Sequence, residues 1–207
     1  MTPALRADLV EIASLIEPST RVLDLGCGTG ELMRLLEDTK DVTARGIEIE
    51  IESVMDCVAK GLSVTHGNID QGLQDYADDS FDYVVLGQTL HLVSRPGLVL
   101  REMLRVGRRG IVSIPNFGYW WVRIGLFVRG RVPRAGCFSK PWYNTPTGHV
   151  VTLNDFRDFC AENRIVIDKQ RFVTTAGSFA RAAANAWPNL CAQLGIYVVS
   201  RRPNGRP

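Results

Sequence analysis

The sequence predicts a single α/β domain over residues 1–207, built on a doubly wound and mostly parallel sheet. Strand segments alternate with helical segments over about 110 residues, which is typical of such sheets. Two further strand segments follow near the C-terminus. A glycine-rich loop separates the first strand from the next helix, at a position where sheets of this class bind ligands. With 207 residues, of which 45% are hydrophobic, the chain can bury one sizeable core.

The first elements can be placed from apolar spacing and from turn residues. A helix is expected over residues 5–16, where leucine and isoleucine recur every three or four positions. The first five strands are expected at residues 21–25, 43–49, 62–66, 81–86 and 110–114. Helices are expected between them, directly after the glycine loop, at 52–60 and at 96–105. Pro96 suits the first turn of the last of these helices.

Residues 116–150 break this alternation. They are rich in glycine, proline, arginine and aromatic residues, and we interpret them as a long irregular insertion that forms a lid or a partner surface. After the insertion, the Thr152-x-x-Asp155 pattern predicts the start of a helix. The last two strands are expected at 165–173 and 195–201, with a helix between them at 178–187 that Pro188 ends.

Composition argues against several classes of function. The net charge of +2 is too small to indicate a nucleic-acid partner. No apolar run reaches the roughly 18 residues of a membrane span, and the N-terminus lacks the apolar core of a signal peptide. We therefore expect a cytoplasmic protein without a membrane partner. The five cysteines and three histidines are scattered along the chain, so no metal site is expected.

The clearest chemical signal is the segment Asp24-Leu25-Gly26-Cys27-Gly28-Thr29-Gly30. Its glycines let a ligand approach the main chain, and the helix that follows offers free N–H groups to a carboxylate. Glu48 ends the second strand, where a carboxylate can accept both hydroxyls of a ribose. A bare structural turn and a nicotinamide-binding loop are the alternatives. The glycine spacing disfavours the nicotinamide loop, whose third glycine lies three residues after its second.

This combination resembles the class I S-adenosylmethionine methyltransferase family. The resemblance implies a Rossmann-like, seven-stranded sheet with an antiparallel last strand, and S-adenosylmethionine or S-adenosylhomocysteine as cofactor. Gly67-Asn68-Ile69-Asp70 matches the adenine loop, although an aspartate is usual where Asn68 stands; asparagine keeps an acceptor oxygen for the adenine amino group. The implied cofactor-binding residues are Asp24, Gly26, Cys27, Gly28, Gly30, Glu48, Ile49, Asn68, Ile69, Asp70, Gly87 and Gln88.

A closer resemblance extends past the cofactor half of the chain. The strings that carry it are residues 101–108, residues 114–120, Trp142-Tyr143-Asn144-Thr145-Pro146, His149 and Asp155-Phe156. They are similar to the MetW family of methionine biosynthesis proteins, although Tyr119 and Thr147-Gly148 depart from its pattern. The resemblance implies homoserine O-acyltransferase as a partner. The predicted partner or substrate surface consists of Trp120, Trp142, Tyr143, Asn144 and His149.

Two functions remain open from the sequence. One is an accessory protein that binds S-adenosylmethionine and supports the acyltransferase; a role as a sensor of that end product would fit the pathway. The other is an active methyltransferase for a small acceptor, with the aromatic insertion as a lid. His91 is the only titratable candidate for a base after the fourth strand, and its apolar surroundings favour a hydrogen-bonded packing role. No catalytic residue is therefore assigned.

Overall fold

The structure, a computed structural model, describes residues 6–131, 148–174 and 178–202. Its helices are α1 (Ala7–Leu15), α2 (Glu31–Lys40), α3 (Ile51–Ala59), α4 (Pro96–Val106), α5 (Trp120–Arg129), α6 (Leu153–Glu162), α7 (Ser178–Ala186) and α8 (Pro188–Cys191), with a 3-10 helix at Ile69–Gln71. Its strands are β1 (Arg21–Leu25), β2 (Thr43–Glu48), β3 (Val64–His66), β4 (Phe81–Gly87), β5 (Gly107–Pro115), β6 (Ile165–Val173) and β7 (Leu194–Arg201).

The seven strands form one sheet in the order β3-β2-β1-β4-β5-β7-β6. Strands β1 to β5 pair in parallel, and β7 lies antiparallel between β5 and β6. The predicted mostly parallel sheet with an antiparallel last strand is therefore confirmed. The strand order reverses between β1 and β4, which pair through Val22 to Asp24. At such a reversal the loops after the strands diverge and leave a crevice for a ligand.

The sheet is covered on both faces, so its central strands are almost wholly apolar. In β1, Val22, Leu23 and Leu25 are fully buried. On one face Leu23 and Leu25 pack in a core that also contains side chains of α4 and α6. On the other face Val22 packs in a core with side chains of α1 and α2. Both layers hold β1 rigidly, so the loop that follows it starts from a fixed position.

Two parts of the chain differ from the expectation. The stretch from residue 116 was expected to be irregular, yet α5 forms at Trp120–Arg129 and ends at Gly130 in the left-handed conformation. The glycine and proline content that favoured a loop is concentrated after that point. Pro188 was expected only to end a helix, and it also begins α8, because proline fits the first helical position. Within the described ranges, no helix is long and apolar enough to cross a membrane.

Candidate cofactor site

The glycine loop and two buried acids meet where β1, β2 and β4 end. Asp24 lies in β1, and Glu48 is the last residue of β2. Their side chains are only 4% and 8% exposed. The loop turns over the end of β2, because the N–H groups of Gly26 and Cys27 donate to the carbonyl oxygen of Ile47 at 2.8 and 3.2 Å. Two carboxylates thus lie beside one glycine loop, and their role in binding a cofactor stays a prediction.

Gly28 is the point at which this loop can receive a ligand. Its φ is +54°, and a Cβ built there would meet nothing within 4 Å. Gly30 differs, since a Cβ there would lie 2.3 Å from Leu62 and 3.0 Å from the Cys57 sulfur. Gly30 is needed for packing under the loop, whereas the space above Gly28 is open. This combination fits a flat or extended ligand lying against the main chain.

Glu48 fixes the shape of the loop. Its Oε2 accepts the Gly28 N–H at 2.7 Å, and its Oε1 accepts the N–H groups of Ile49 and Glu50 at 2.8 and 3.0 Å. The Oε1 atom therefore has both lone pairs engaged, while Oε2 keeps one. A ribose hydroxyl can bind directly at Oε2, and a second one requires the carboxylate to release an amide.

Burial works against the charge of Asp24. The loss of water, together with the neighbouring charge of Glu48, raises the pKa of Asp24 to about 7, and the Arg6 guanidinium opposes that shift. A cationic ligand beside Asp24 would favour the ionised form. The ammonium and sulfonium groups of S-adenosylmethionine are such cations, so the charge of the site fits this cofactor. Burial also raises the pKa of the Cys27 thiol, which stays protonated.

The predicted adenine loop is held by its own side chains. Asn68 caps the 3-10 helix, and its Oδ1 accepts the Asp70 N–H at 2.9 Å. Asp70 accepts the N–H groups of Ser94 and Arg95 at 3.0 Å each, which hold its pKa below the usual range although burial acts in the opposite sense. Ile69 is buried beneath the loop, and Ile49 is exposed beside it. Asn68 thus does the capping work that an aspartate would do.

The predicted methionine end contains a contact that the sequence did not reveal. Gln88 follows Gly87 at the end of β4 and has a φ of +53°. Its Nε2 donates to Asp8 of α1 at 2.5 Å, and its backbone N–H donates to the Ser113 hydroxyl at 2.8 Å. Asp8 is buried and also pairs with Arg6 at 2.6 Å. An aspartate one helical turn before Ile12, on the apolar face of α1, was the signal available in the sequence.

His91 and His149 are joined at the edge of the site. The backbone N–H of His149 donates to the carbonyl oxygen of His91 at 2.8 Å. The Nε2 atom of the His149 ring lies 2.9 Å from the carbonyl oxygen of Val93. His91 is buried, and burial beside His149 lowers its pKa to about 4. Its Nδ1 has no hydrogen-bond partner within the described parts of the chain. His91 is neutral near pH 7.

Only part of the predicted partner surface lies among the residues that the structure describes. Trp120, at the start of α5, is 41% exposed, and His149 is exposed. Trp142, Tyr143 and Asn144 lie outside the described residues. Within the described ranges, no group of three histidine, cysteine, aspartate or glutamate side chains could hold a metal ion.

Comparison with known protein families shows to which of them this chain belongs. The family model described as "Methionine biosynthesis protein MetW" matches residues 6–199. The chain belongs to the MetW family. The resemblance read from the sequence is thereby confirmed, and the match covers both the cofactor half and the elements after α5.

Individual relatives of this MetW chain are of two kinds. The "Bifunctional methionine biosynthesis protein MetXA/MetW" of Rhodopirellula baltica is 37% identical over 177 residues, which are 81% of this chain and 28% of that protein. The "Demethylmenaquinone methyltransferase" of Listeria monocytogenes is 28% identical over 143 residues, which are 62% of this chain and 60% of that protein. The chain thus spans less than two thirds of the length of these relatives.

Solved structures support the fold. An S-adenosylmethionine-dependent methyltransferase from Mesorhizobium loti superposes with a TM-score of 0.68 at 16% identity, covering 95% of this chain and 99% of the other. One from Archaeoglobus fulgidus superposes with a TM-score of 0.65 at 16% identity, covering 94% and 92%. The MetW chain therefore has the methyltransferase fold.

Proposed function

We propose that this MetW chain binds S-adenosylmethionine or S-adenosylhomocysteine and supports homoserine O-acyltransferase as an accessory protein in methionine biosynthesis. The observation that carries the partner is the Rhodopirellula baltica relative, whose name joins a MetXA part and a MetW part in one chain. Fusion keeps two proteins at high effective concentration, which favours contact between them. A role beside a biosynthetic enzyme would place the chain in the cytoplasm.

The support for the cofactor is the charge and shape of the site. Two buried carboxylates, Asp24 and Glu48, lie beneath a loop whose Gly28 faces open space. A nucleoside with a cationic amino-acid tail offers hydroxyls to Glu48 and positive charge to Asp24. The remaining predicted contacts, Ile49, Asn68, Ile69, Asp70, Gly87 and Gln88, stay predictions within this proposal.

Calorimetric titration tests cofactor binding. S-adenosylmethionine and S-adenosylhomocysteine should bind the wild type, and NAD should not. Gly28→Ala should weaken binding at least tenfold, because its methyl group occupies the open space above the loop. Gly61→Ala is the matched control, since Gly61 also has a positive φ (+76°) and open space but lies after α3. Equal affinity of the two variants, or heat from NAD alone, would overturn the cofactor assignment.

Co-purification tests the partner. The homoserine O-acyltransferase of the same genome, expressed with this chain, should be retained on an affinity column that carries it. Acetyl or succinyl transfer to homoserine should rise when the chain is added. Absence of both retention and stimulation would remove the accessory role.

A methyltransferase activity is the second candidate, favoured by the demethylmenaquinone methyltransferase relatives. It predicts that S-adenosylhomocysteine accumulates only when an acceptor is added. A panel of small acceptors that includes a demethylated quinone supplies the test. Tight cofactor binding without turnover on any acceptor would leave the accessory role as the better account.

A further inference from the structure

An open cavity lies between α5, α6 and α8, on elements that the proposed cofactor site does not use. Its volume is about 290 Å³. Arg123 of α5, Arg157 of α6 and Trp187 at the start of α8 line it, together with Asn154 and Asn189. No acidic side chain lines it among the described residues.

Among the described residues, both arginines in this cavity are held in place without a carboxylate. The Arg123 Nε donates to the carbonyl oxygen of Gly118 at 2.6 Å. Arg157 donates to the Gln170 side chain at 3.0 Å, and its guanidinium lies 5.7 Å from the centre of the Phe172 ring. Neither forms an ion pair within the part of the chain that the structure describes, although seven other arginines there do. Preplaced guanidinium groups of this kind suit a bidentate carboxylate.

Exposed aromatic side chains lie on the same helix face as Arg123 and in the lining of the cavity. Trp120 and Phe127 stand three residues before and four residues after Arg123, so they share its face of α5. Phe127 is 93% exposed, and Trp187, which lines the cavity, is 69% exposed. In α5 only Val122 is buried. Exposed aromatic residues beside arginines are the usual composition of a protein-binding hot spot.

We infer that this surface, Trp120, Arg123 and Phe127 of α5 with Arg157 and Trp187, is where the chain docks on its acyltransferase partner. The occupant is an acidic segment with apolar side chains. Its carboxylates enter the cavity between the two arginines, and its apolar side chains cover the tryptophans and Phe127. Charge complementarity selects this occupant, because residues 116–131 carry arginines and no aspartate or glutamate. The inference rests on the proposed function, which supplies the partner.

Two substitutions on this surface and one control test the inference. Arg123→Glu reverses the charge in the cavity, and Phe127→Asp removes the most exposed anchor. Met55→Asp on α3 is the control, because Met55 is an apolar helix residue that is 65% exposed on another part of the molecule. Affinity for the purified homoserine O-acyltransferase is measured by surface plasmon resonance, and affinity for S-adenosylmethionine is measured by calorimetry.

Each of the two surface variants should bind the acyltransferase at least tenfold more weakly than the wild type. Both should keep wild-type affinity for S-adenosylmethionine, which shows that they are folded. Wild-type partner affinity in Arg123→Glu and Phe127→Asp would overturn the docking surface while leaving the proposed function intact. Loss of partner binding in Met55→Asp alone would overturn it in favour of α3. A wild-type dimer in sedimentation that Phe127→Asp dissociates, with partner binding unchanged, would assign the surface to a second copy of this chain.

Discussion

Asp24 is an acid in a position that disfavours its ionised form. The residue is 4% exposed, and the neighbouring charge that affects its pKa most is that of Glu48, which has the same sign. A folded-state pKa of about 7 lies above the usual value of 3.8 for an aspartate. Its stabilising contribution is therefore complete below pH 3.8 and is lost as the pH rises through 7. Above about pH 7 the folded protein therefore carries a destabilising negative charge on Asp24, and a cationic ligand beside this residue would stabilise it.

Replacing this acid by its amide should stabilise the ligand-free protein. Asp24→Asn should raise the free energy of unfolding at pH 8 by about 2 kcal/mol, and by less at pH 5, because asparagine cannot ionise. The same variant should lose affinity for S-adenosylmethionine. Urea unfolding at both pH values measures the first effect, with Asp38→Asn, 60% exposed, as a surface control. An equal stability change at the two pH values would contradict this account.

Residues at strand ends could be predicted, and contacts between distant residues could not. The positions of Asp24 and Glu48 near the ends of β1 and β2 follow from where the sequence places those two strands. The tie from Gln88 to Asp8 joins residues that are 80 apart in sequence, and no local pattern encodes it. The role of Asn68 as a helix cap also depended on knowing that a 3-10 helix follows it.

At the scale of elements, a side-chain hydrogen bond joins α1 to the end of β4. The Gln88 side chain reaches Asp8, while its backbone is held by Ser113 of β5. Gln88 adopts the left-handed conformation, which costs a residue with a side chain about 1–2 kcal/mol. The partly buried hydrogen bond to the Asp8 carboxyl group offsets that cost. Such a fixed corner would present Gly87 to the methionine end of the cofactor.

A double-mutant cycle should detect this fastening. Asp8→Ala and Gln88→Ala should show a coupling free energy of about 1–2 kcal/mol in urea unfolding. Arg34→Ala and Asp38→Ala provide the comparison, because that ion pair is exposed, spans 3.7 Å and should couple by less than about 0.5 kcal/mol. Coupling at Asp8 and Gln88 no larger than in the exposed pair would show that the contact contributes nothing.

The elements themselves were predictable where one periodicity dominates. Apolar runs in the central strands follow from burial on both faces, and the strands were placed within a few residues of their observed bounds. Helix α5 was missed because its apolar residues face solvent as well as the core, so they give no amphipathic stripe with a polar face. The same exposed residues make α5 the candidate docking helix.

At the scale of the molecule, the end of β5 connects the two proposed surfaces. Ser113 accepts the Gln88 N–H beside the cofactor site. Three residues later, the Asn116 side chain donates to the carbonyl oxygens of Asn189 and Ala192 at 3.1 and 2.8 Å, at the turn of α8. Asn116 is 1% exposed, so these bonds have no competition from water. A displacement of this strand end would therefore alter both the position of Gln88 and the position of α8.

Cofactor and partner should therefore influence each other's binding. S-adenosylmethionine should change the affinity for the acyltransferase at least about fivefold, and the acyltransferase should change the affinity for S-adenosylmethionine by the same factor, because linkage is reciprocal. Asn116→Ala, which breaks the connection without touching either ligand, should reduce that factor towards one. Calorimetric titration of each ligand with and without the other measures all four affinities. If the factor is one in the wild type, the cofactor is no signal to the partner; if Asn116→Ala leaves a larger factor unchanged, the signal does not pass along β5.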